Sequence, residues 1–173
     1  MESLLTPLHD AHLIKLFHRT DERGVFFKPF HAGQLKALGI DFEIRESICS
    51  VSSKNVVRGM HFQTEPHAQA KLVYCPYGAI LDVILDLRKG SPSYGKHFAA
   101  ELSAQNGHSL FIPEGFAHGF LALTEGAVTS YLLNKEHQPE ADTGILWNSF
   151  GFEWPVENPI VSERDRGFIN LKI

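Results

Sequence analysis

The sequence predicts a mostly-β protein, a jelly-roll β-sandwich in outline with a few short helices, built as one domain over residues 1–173. Two observations predict this fold class. Many short runs alternate between apolar and polar residues, and Gly, Pro and Asn separate them. Helical periodicity is confined to two short segments. The length is that of one domain with a sizeable core.

The clearest strand pattern is the stretch AILDVILDLR at 79–88. Successive strand residues point to opposite faces, so this run has one apolar face and one mixed face. The apolar face carries Leu81, Val83, Leu85 and Leu87, and the mixed face carries Ile80, Asp82, Ile84 and Asp86. Similar runs predict further strands at 12–17, 42–51, 56–63, 70–75, 96–103, 108–112, 116–123, 127–133 and 144–147.

Two segments are typical of short helices. The stretch HAGQLKALG at 31–39 ends at a glycine, which favours helix termination. The stretch SERDRGF begins with Ser162, whose hydroxyl is suited to cap the first turn of a helix.

Composition and charge exclude several classes of function. The net charge of −4 argues against nonspecific binding of nucleic acid, which depends on excess Lys and Arg. No apolar run is long enough to span a membrane, and the first residues lack the pattern of a signal peptide. Cys49 and Cys75 follow no metal or redox spacing and are expected to be reduced, buried thiols. These features predict a soluble, cytoplasmic protein. An anionic small molecule stays possible, because a few arginines in one pocket can hold it.

Histidines gather in two stretches, RGMHFQTEPHAQAKLVYCPYG at 58–78 and GHSLFIPEGFAHGF at 107–120. In the second stretch, Gly107, Pro113, Gly115 and His118 resemble the second signature of the cupins, a jelly-roll superfamily that commonly holds a metal. That signature is glycine, five residues, proline, one residue, glycine, two residues and histidine. The match supports the jelly roll and raises the question of a metal.

The first stretch argues against a metal. The cupin pattern of two histidines and a glutamate, set in the register that ends at Gly78, falls here on Glu65, His67 and Lys71. An ammonium group has three donors and no lone pair to give, so Lys71 would repel a divalent metal. It could bind one only if its pKa were strongly depressed. We therefore expect no metal.

Metal-free acid–base chemistry is the functional alternative for His61, Lys71 and His118. A neutral histidine is a good general base near pH 7, and a nearby lysine can stabilise the oxyanion that forms as the base acts. This pair suits proton abstraction next to a carbonyl group. From the residues alone, however, a histidine in an alternating strand is more often a hydrogen-bonded core residue than a catalyst.

Six blocks, distributed along nearly the whole chain, resemble the dTDP-4-dehydrorhamnose 3,5-epimerase family. They are DERG (21–24), RGMHFQ (58–63), HAQAKL (67–72), DLRKGSPSYGK (86–96), IPEGFAHGF (112–120) and SERD (162–165). The resemblance implies a jelly-roll homodimer that needs neither metal nor cofactor. It implies epimerisation of a nucleotide diphosphate-linked 4-keto-6-deoxyhexose, with inversion at C3, C5 or both through an enolate.

The resemblance also assigns roles by position. His61 resembles the base that takes the α-proton, and Asp165 resembles the carboxylate that partners it. An ionised partner orients the ring and stabilises its imidazolium form. Lys71 resembles the cation that faces the C4 oxygen of the sugar.

Further positions are assigned to substrate binding. His118 is the second histidine of the site, and Gln63 and Glu140 are expected to contact the substrate. Arg23 and Arg58 resemble the arginines that hold the diphosphate, a role suited to the guanidinium group.

One departure from the family has chemical weight. The family has an acid tyrosine two residues before the proline of a YxPE-like segment, and NKEHQPEAD places His137 there. Tyr131 matches a different position, six residues earlier. Imidazolium can donate a proton, but its reach differs from that of a phenol. We therefore expect His137 to act as the acid, with inversion of a single centre.

A second departure affects substrate choice and keeps other classes open. Glu46 and Ile48 replace a glutamine and an asparagine in a strand expected near the nucleotide, so a CDP-linked sugar is an alternative to a dTDP-linked one. A metal-dependent cupin enzyme is opposed by Lys71. A non-catalytic nucleotide-sugar binding protein stays open because of His137.

For the homodimer, we expect the run at 12–17 to cover a sheet edge of the partner.

Overall fold

The computed structural model describes residues 1–4 and 6–171, which form thirteen strands and two short helices. The strands are β1 (Glu2–Leu4), β2 (His12–Lys15), β3 (Phe17–Asp21), β4 (Gly24–Lys28), β5 (Glu46–Ser52), β6 (Val57–Gln63), β7 (Lys71–Tyr77), β8 (Ala79–Asp86), β9 (His97–Ser103), β10 (His108–Ile112), β11 (Phe116–Ala122), β12 (Ala127–Leu133) and β13 (Asp142–Gly144). The helices are α1 (Ala32–Ala37) and α2 (Glu163–Arg166).

Two antiparallel sheets pack face to face. One has six strands in the order β1-β2-β10-β7-β12-β5, and the other has five in the order β13-β6-β11-β8-β9. Strands β3 and β4 pair only with each other. The predicted mostly-β jelly roll is thereby confirmed.

The core lies between the two sheets. Among its fully buried side chains are Ile84, Leu110, Ile112, Phe116 and Phe120. Burial of one side chain of this size contributes about 1.5–3 kcal/mol to stability. This apolar interior holds the two sheets together, and a few buried polar side chains, Asp82, His118 and Thr129 among them, lie beside it.

Both sheets are also covered on their outer faces. Leu85 packs outward against Phe150 and Trp154 of the C-terminal segment. On the six-stranded sheet, Leu72 packs outward against Leu35 of α1. Strand β8 is therefore buried on both faces, and its mixed face, with Asp82, looks into the sandwich.

Helix ends follow the sequence prediction closely. The His31 side chain accepts a hydrogen bond from the Gln34 N–H at the start of α1, and Ser162 accepts one from the Asp165 N–H at the start of α2. Strand bounds differ more. Strand β5 begins at Glu46, four residues after the predicted start, and only Gly144 of the run 144–147 lies in a strand.

Two expectations are corrected, and one pair of strands was missed. The run 12–17 is not a free edge strand, because β2 pairs with β1 and β10 of its own chain. The hairpin of β3 and β4 was not predicted at all. Cys49 is exposed and only Cys75 is buried, and both are free thiols. Separately, no helix in the described ranges is long and apolar enough to cross a membrane.

Candidate active site

A cavity of about 370 Å³ opens between the two sheets. Strands β6 and β11 supply one wall, with His61, Gln63 and His118. Strands β5, β7 and β12 supply the other wall, with Glu46, Lys71 and Tyr131 among others. His137, Asp142 and Arg164 complete the lining. The sandwich thus gathers side chains that are far apart in sequence.

His61 and Asp165 form the first histidine–carboxylate pair of the site. His61 Nε2 lies 2.7 Å from Asp165 Oδ1, and Asp165 Oδ2 accepts a hydrogen bond from the Gly59 N–H. Burial raises the pKa of Asp165, but the hydrogen bonds from His61 and Gly59 outweigh it, so this pKa lies below its usual value. The side chain of Asp165 is 4% exposed and that of His61 is 30% exposed.

This arrangement gives His61 the properties of a base. An ionised Asp165 accepts from the Nε2–H of the neutral ring, which leaves the lone pair on Nδ1. Phe168 packs edge-on against the ring at 5.8 Å between centroids and restricts its orientation. A proton taken at Nδ1 would create an imidazolium that Asp165 stabilises.

A second histidine–carboxylate pair lies deeper. His118 Nε2 lies 2.7 Å from Asp82 Oδ1, and both side chains are almost wholly buried. Burial lowers the pKa of His118, and Asp82 opposes this in part. Burial also raises the pKa of Asp82, against the effects of His118 and Lys71. Asp82 was not predicted as a site residue, although it belongs to the mixed face of the run 79–88.

Lys71 places a cation beside the base. Its Nζ is 3.4 Å from the main-chain carbonyl oxygen of His61. Burial lowers the pKa of Lys71 to about 8, while Asp82 and Asp142 raise it. The ammonium is therefore still the main form at neutral pH. Such a cation can stabilise an oxyanion that forms in the cavity.

Tyr131 lies on the wall opposite the two histidines. Its ring meets the His118 ring edge-on at 5.6 Å between centroids. Burial and the Asp82 carboxylate raise the pKa of the Tyr131 hydroxyl far above its usual value. The group is therefore protonated at any ordinary pH and can donate. The alternation of β12 could have indicated that Tyr131 faces inward.

Several charged groups line the cavity beside the loop that follows β12. Asp142 Oδ2 accepts from Arg164 at 2.7 Å and lies 3.2 Å from His137 Nε2. Glu46 Oε2 accepts a hydrogen bond from the His137 N–H at 2.6 Å. These contacts fix the loop that follows β12. Asp142 and Arg164 were not predicted.

Gln63 also holds this loop in place. Its side-chain oxygen accepts from the Gln138 N–H at 2.7 Å, and its side-chain nitrogen donates to the His67 carbonyl at 2.8 Å. Gln63 lines the cavity, as expected of a substrate-binding residue, and it also ties two segments of backbone together.

The two predicted arginines are placed differently. Arg58 lines the cavity, where its Nε donates to Ser52 Oγ. Arg23 lies outside it, in the turn between β3 and β4, with its side chain 85% exposed and paired with Asp21. Glu140 is also exposed and does not line the cavity.

A second cavity, of about 350 Å³, adjoins the first and shares Arg58, His61 and Arg164 with it. Asp165 and Ser162 lie in its wall. The His61 ring therefore stands between two open spaces. Within 1–4 and 6–171, no three His, Cys, Asp or Glu side chains are grouped so as to hold a metal ion.

A jelly-roll sandwich whose cavity holds two histidine–carboxylate pairs and a lysine defines a cupin-type enzyme of acid–base chemistry. The family model for dTDP-4-dehydrorhamnose 3,5-epimerase matches residues 5–172. The dTDP-4-dehydrorhamnose 3,5-epimerase of Shigella flexneri is 45% identical over 148 residues, which are 84% of this chain and 82% of that protein. The chain belongs to the dTDP-4-dehydrorhamnose 3,5-epimerase family, and it is an isomerase of the epimerase class.

Solved structures agree. The dTDP-4-dehydrorhamnose 3,5-epimerase of Bacillus anthracis, with TDP and pyrophosphate bound, matches with a TM-score of 0.94 and 36% identity over 98% of this chain and 99% of that one. ChmJ, a 3′-monoepimerase of Streptomyces bikiniensis, matches with a TM-score of 0.88 and 27% identity over 96% and 85%. That ChmJ structure is a complex with dTDP and carries substitutions of a histidine and of a tyrosine 70 residues further on. The predicted family, fold and enzyme class are confirmed.

Proposed function

We propose that this chain epimerises a dTDP-linked 4-keto-6-deoxyhexose at C3, C5 or both, in deoxysugar biosynthesis. It would act as a cytoplasmic homodimer of one domain each, without metal or cofactor. The observation that carries the proposal is the His61–Asp165 pair with Lys71 beside it in one cavity. The names of the relatives support the substrate class.

The first step removes a proton next to the ketone. His61 takes it at Nδ1, and Asp165 stabilises the imidazolium. The electron pair of the broken C–H bond moves toward the carbonyl, which gives an enolate with its charge on the C4 oxygen. The Lys71 ammonium stabilises that charge. Its position at the third cupin ligand supports a metal-free mechanism.

Inversion requires that a proton return from the opposite side of the sugar. Tyr131 is the first candidate for this acid, because it projects from the six-stranded sheet while His61 lies on the five-stranded sheet. Tyr131 also lies 70 residues after His61, the spacing of the histidine and tyrosine substituted together in ChmJ. His137, our expectation from the sequence, is the second candidate, since it lines the same cavity.

Within one chain, Arg58 is the arginine placed to bind the diphosphate. Arg23 lies in the hairpin of β3 and β4, which pairs with neither sheet, and it does not line the cavity of its own chain. It can therefore contribute only to the cavity of a second copy. Exposed apolar residues on the hairpin and on β5 and β7 support such a dimer. They include Phe26, Val51 and Tyr77. His118 and Gln63 are placed to contact the sugar, and Glu140 stays a proposed contact at the exposed turn before β13.

Glu46 and Ile48 favour an alternative to the dTDP nucleotide. Both line the cavity, so a carboxylate and an apolar group replace the amides expected there. A CDP-linked sugar is therefore the second candidate substrate.

One experiment tests these proposals. The protein is incubated with dTDP- and with CDP-linked 4-keto-6-deoxyglucose in D2O, and NMR follows C3 and C5. We expect deuterium to enter with inversion on the dTDP sugar. Preference for the CDP sugar would overturn the nucleotide assignment. No exchange above background on either sugar would identify a binding protein without turnover and refute the epimerase proposal.

A further inference from the structure

Unpartnered polar atoms surround Tyr131. Four buried side-chain atoms have no hydrogen-bond partner among the described residues: Ser50 Oγ, Asp82 Oδ2, Ser109 Oγ and Thr129 Oγ1. Burying such a group without a partner costs free energy, so each calls for an explanation. Three of the four lie on the inner faces of the two sheets.

The strand register places two of these hydroxyls side by side. Ser50 on β5 is directly opposite Thr129 on β12. Side chains so paired have Cβ atoms about 5 Å apart. Tyr131 is two residues beyond Thr129, so it projects from the same face of β12. The hydroxyls of Ser50 and Thr129 therefore adjoin the Tyr131 ring on the inner face of the sheet.

Asp82 completes the group from the facing sheet. Its Oδ1 accepts from the His118 ring, which packs edge-on against Tyr131. Its Oδ2 is the third unpartnered atom. Two hydroxyls on the face of the sheet from which Tyr131 projects and one carboxylate from the facing sheet thus lie near a single tyrosine.

This group meets a chemical need of the proposed reaction. Burial and Asp82 both disfavour the ionised form of Tyr131, so proton donation from it is uphill. Hydrogen bonds to the phenolate oxygen would lower that cost as they do for any oxyanion in a site sheltered from water. Ser50 is near enough to Tyr131 to favour the phenolate by hydrogen bonding, although no hydrogen bond of good geometry joins the two side chains.

We propose that Ser50 and Thr129 are positioning residues for Tyr131, and that Thr129 and Asp82 hold an ordered water beneath it. The inference rests on the proposed function, with Tyr131 as the acid. As the Tyr131 O–H bond breaks, its proton joins the sugar carbon, and the enolate pair forms the new C–H bond and restores the ketone. Ser50 and the water donate to the phenolate oxygen. The water then returns a proton to it and is itself reprotonated by solvent, while the His61 imidazolium releases its proton to solvent.

Isosteric variants separate this role from packing. Thr129→Val and Ser50→Ala should lower kcat for inversion about a hundred- to a thousandfold, the order of effect of losing one oxyanion donor. KM and the His61-dependent exchange of substrate hydrogen for deuterium should stay within two- to threefold. Thr129→Ser keeps the hydroxyl and should restore most of the inversion rate.

Ser109→Ala provides the matched control. Ser109 is also buried and unpartnered, but its neighbours in β10, Leu110 and Ile112, are the ones that face the sandwich core, so Ser109 faces the other side of the sheet. Its loss should leave inversion unchanged. Inversion at the parent rate in Thr129→Val would overturn the proposal. So would an equal loss of exchange and inversion that Thr129→Ser fails to restore.

A readout independent of activity completes the test. A crystal structure at atomic resolution should show an ordered water within hydrogen-bond distance of both Thr129 Oγ1 and Asp82 Oδ2. Its absence would overturn the water site. If the parent neither exchanges nor inverts a 4-keto sugar, the proposed function fails, and the crystal structure still decides whether the water site exists.

Discussion

Lys71 Nζ lies 3.4 Å from the carbonyl oxygen of His61, so the cation and the base occupy one short segment of the cavity wall. The two groups act on adjacent atoms in the proposed reaction, the α-carbon and the carbonyl oxygen. Charge therefore develops on the substrate within reach of the cation as the base removes the proton. Two predictions follow from this pair.

The activity should fall as Lys71 loses its proton. Burial lowers the pKa of Lys71 to about 8, so above that pH the C4 oxygen faces a neutral amine. We expect kcat to decline on a basic limb near pH 8. Lys71→Met should lower kcat strongly at neutral pH and remove this limb. Full activity at pH 9.5, or a Lys71→Met enzyme within a few-fold of the parent, would contradict the assigned role.

The free energy of unfolding should rise over the pH range in which the activity falls. Between about pH 8 and 10.5 the unfolded chain keeps the Lys71 proton while the folded chain has lost it. The unfolded state then binds more protons, so the contribution of Lys71 to the free energy of unfolding rises with pH across this window. Denaturant titrations of the parent and of Lys71→Met would measure it, and the variant should lack the rise.

Loss of the base should sharply lower turnover without unfolding the protein. His61→Ala removes the only assigned acceptor for the α-proton and should reduce kcat by roughly 10²–10⁴. Asp165→Asn should be less severe, because the ring keeps its place but loses the charge that stabilises its imidazolium. His67→Ala is the matched control, since His67 belongs to the metal pattern but does not line the cavity. Activity near the parent level in His61→Ala would refute the assignment.

The homodimer can be tested at its proposed surface. Phe26 and Val51 are 60% and 66% exposed on the hairpin and on the edge strand β5. Phe26→Asp and Val51→Lys should shift the sedimenting species from dimer to monomer. The monomer should bind substrate more weakly, because it lacks the partner's Arg23. Ile169→Asp, at a different exposed apolar residue, is the control. A parent that sediments as a monomer at micromolar concentration would refute the dimer.

Local patterns predicted the parts of the fold that local forces decide. Ser162 caps α2 because its hydroxyl needs only the N–H of Asp165, three residues on. The alternation at 79–88 gave β8, since side-chain direction follows from the pleat alone. The hairpin of β3 and β4 escaped prediction because FHRTD is mostly polar and the apolar residues of GVFFK follow one another without alternation.

Site residues that belong to a sequence motif could be predicted. Those that join the site through contacts between residues distant in sequence could not. His61, Lys71 and His118 lie in recognisable blocks. Asp82 meets His118 across 36 residues of sequence, in a strand whose pattern reads as ordinary core. Arg23 belongs to a recognisable block too, but no sequence signal shows that the fold of one chain leaves it outside the cavity.

The last prediction decides between the two candidate acids. Tyr131 projects into the cavity from the wall opposite His61, while His137 is 49% exposed and its Nε2 lies 3.2 Å from Asp142. A donor misplaced by about 1 Å can cost roughly a hundredfold in rate. We therefore expect Tyr131→Phe to keep deuterium exchange and lose inversion.

His137 should affect the number of centres inverted. If it serves one ring position, the parent shows inversion at one carbon and slow exchange or retention at the other, and His137→Tyr shifts the pattern toward double epimerisation. NMR at C3 and C5 in D2O reads both outcomes. Comparable inversion at both centres in the parent, unchanged in His137→Gln, would leave Tyr131 as the acid for both. Inversion that survives Tyr131→Phe but not His137→Gln would instead make His137 the donor.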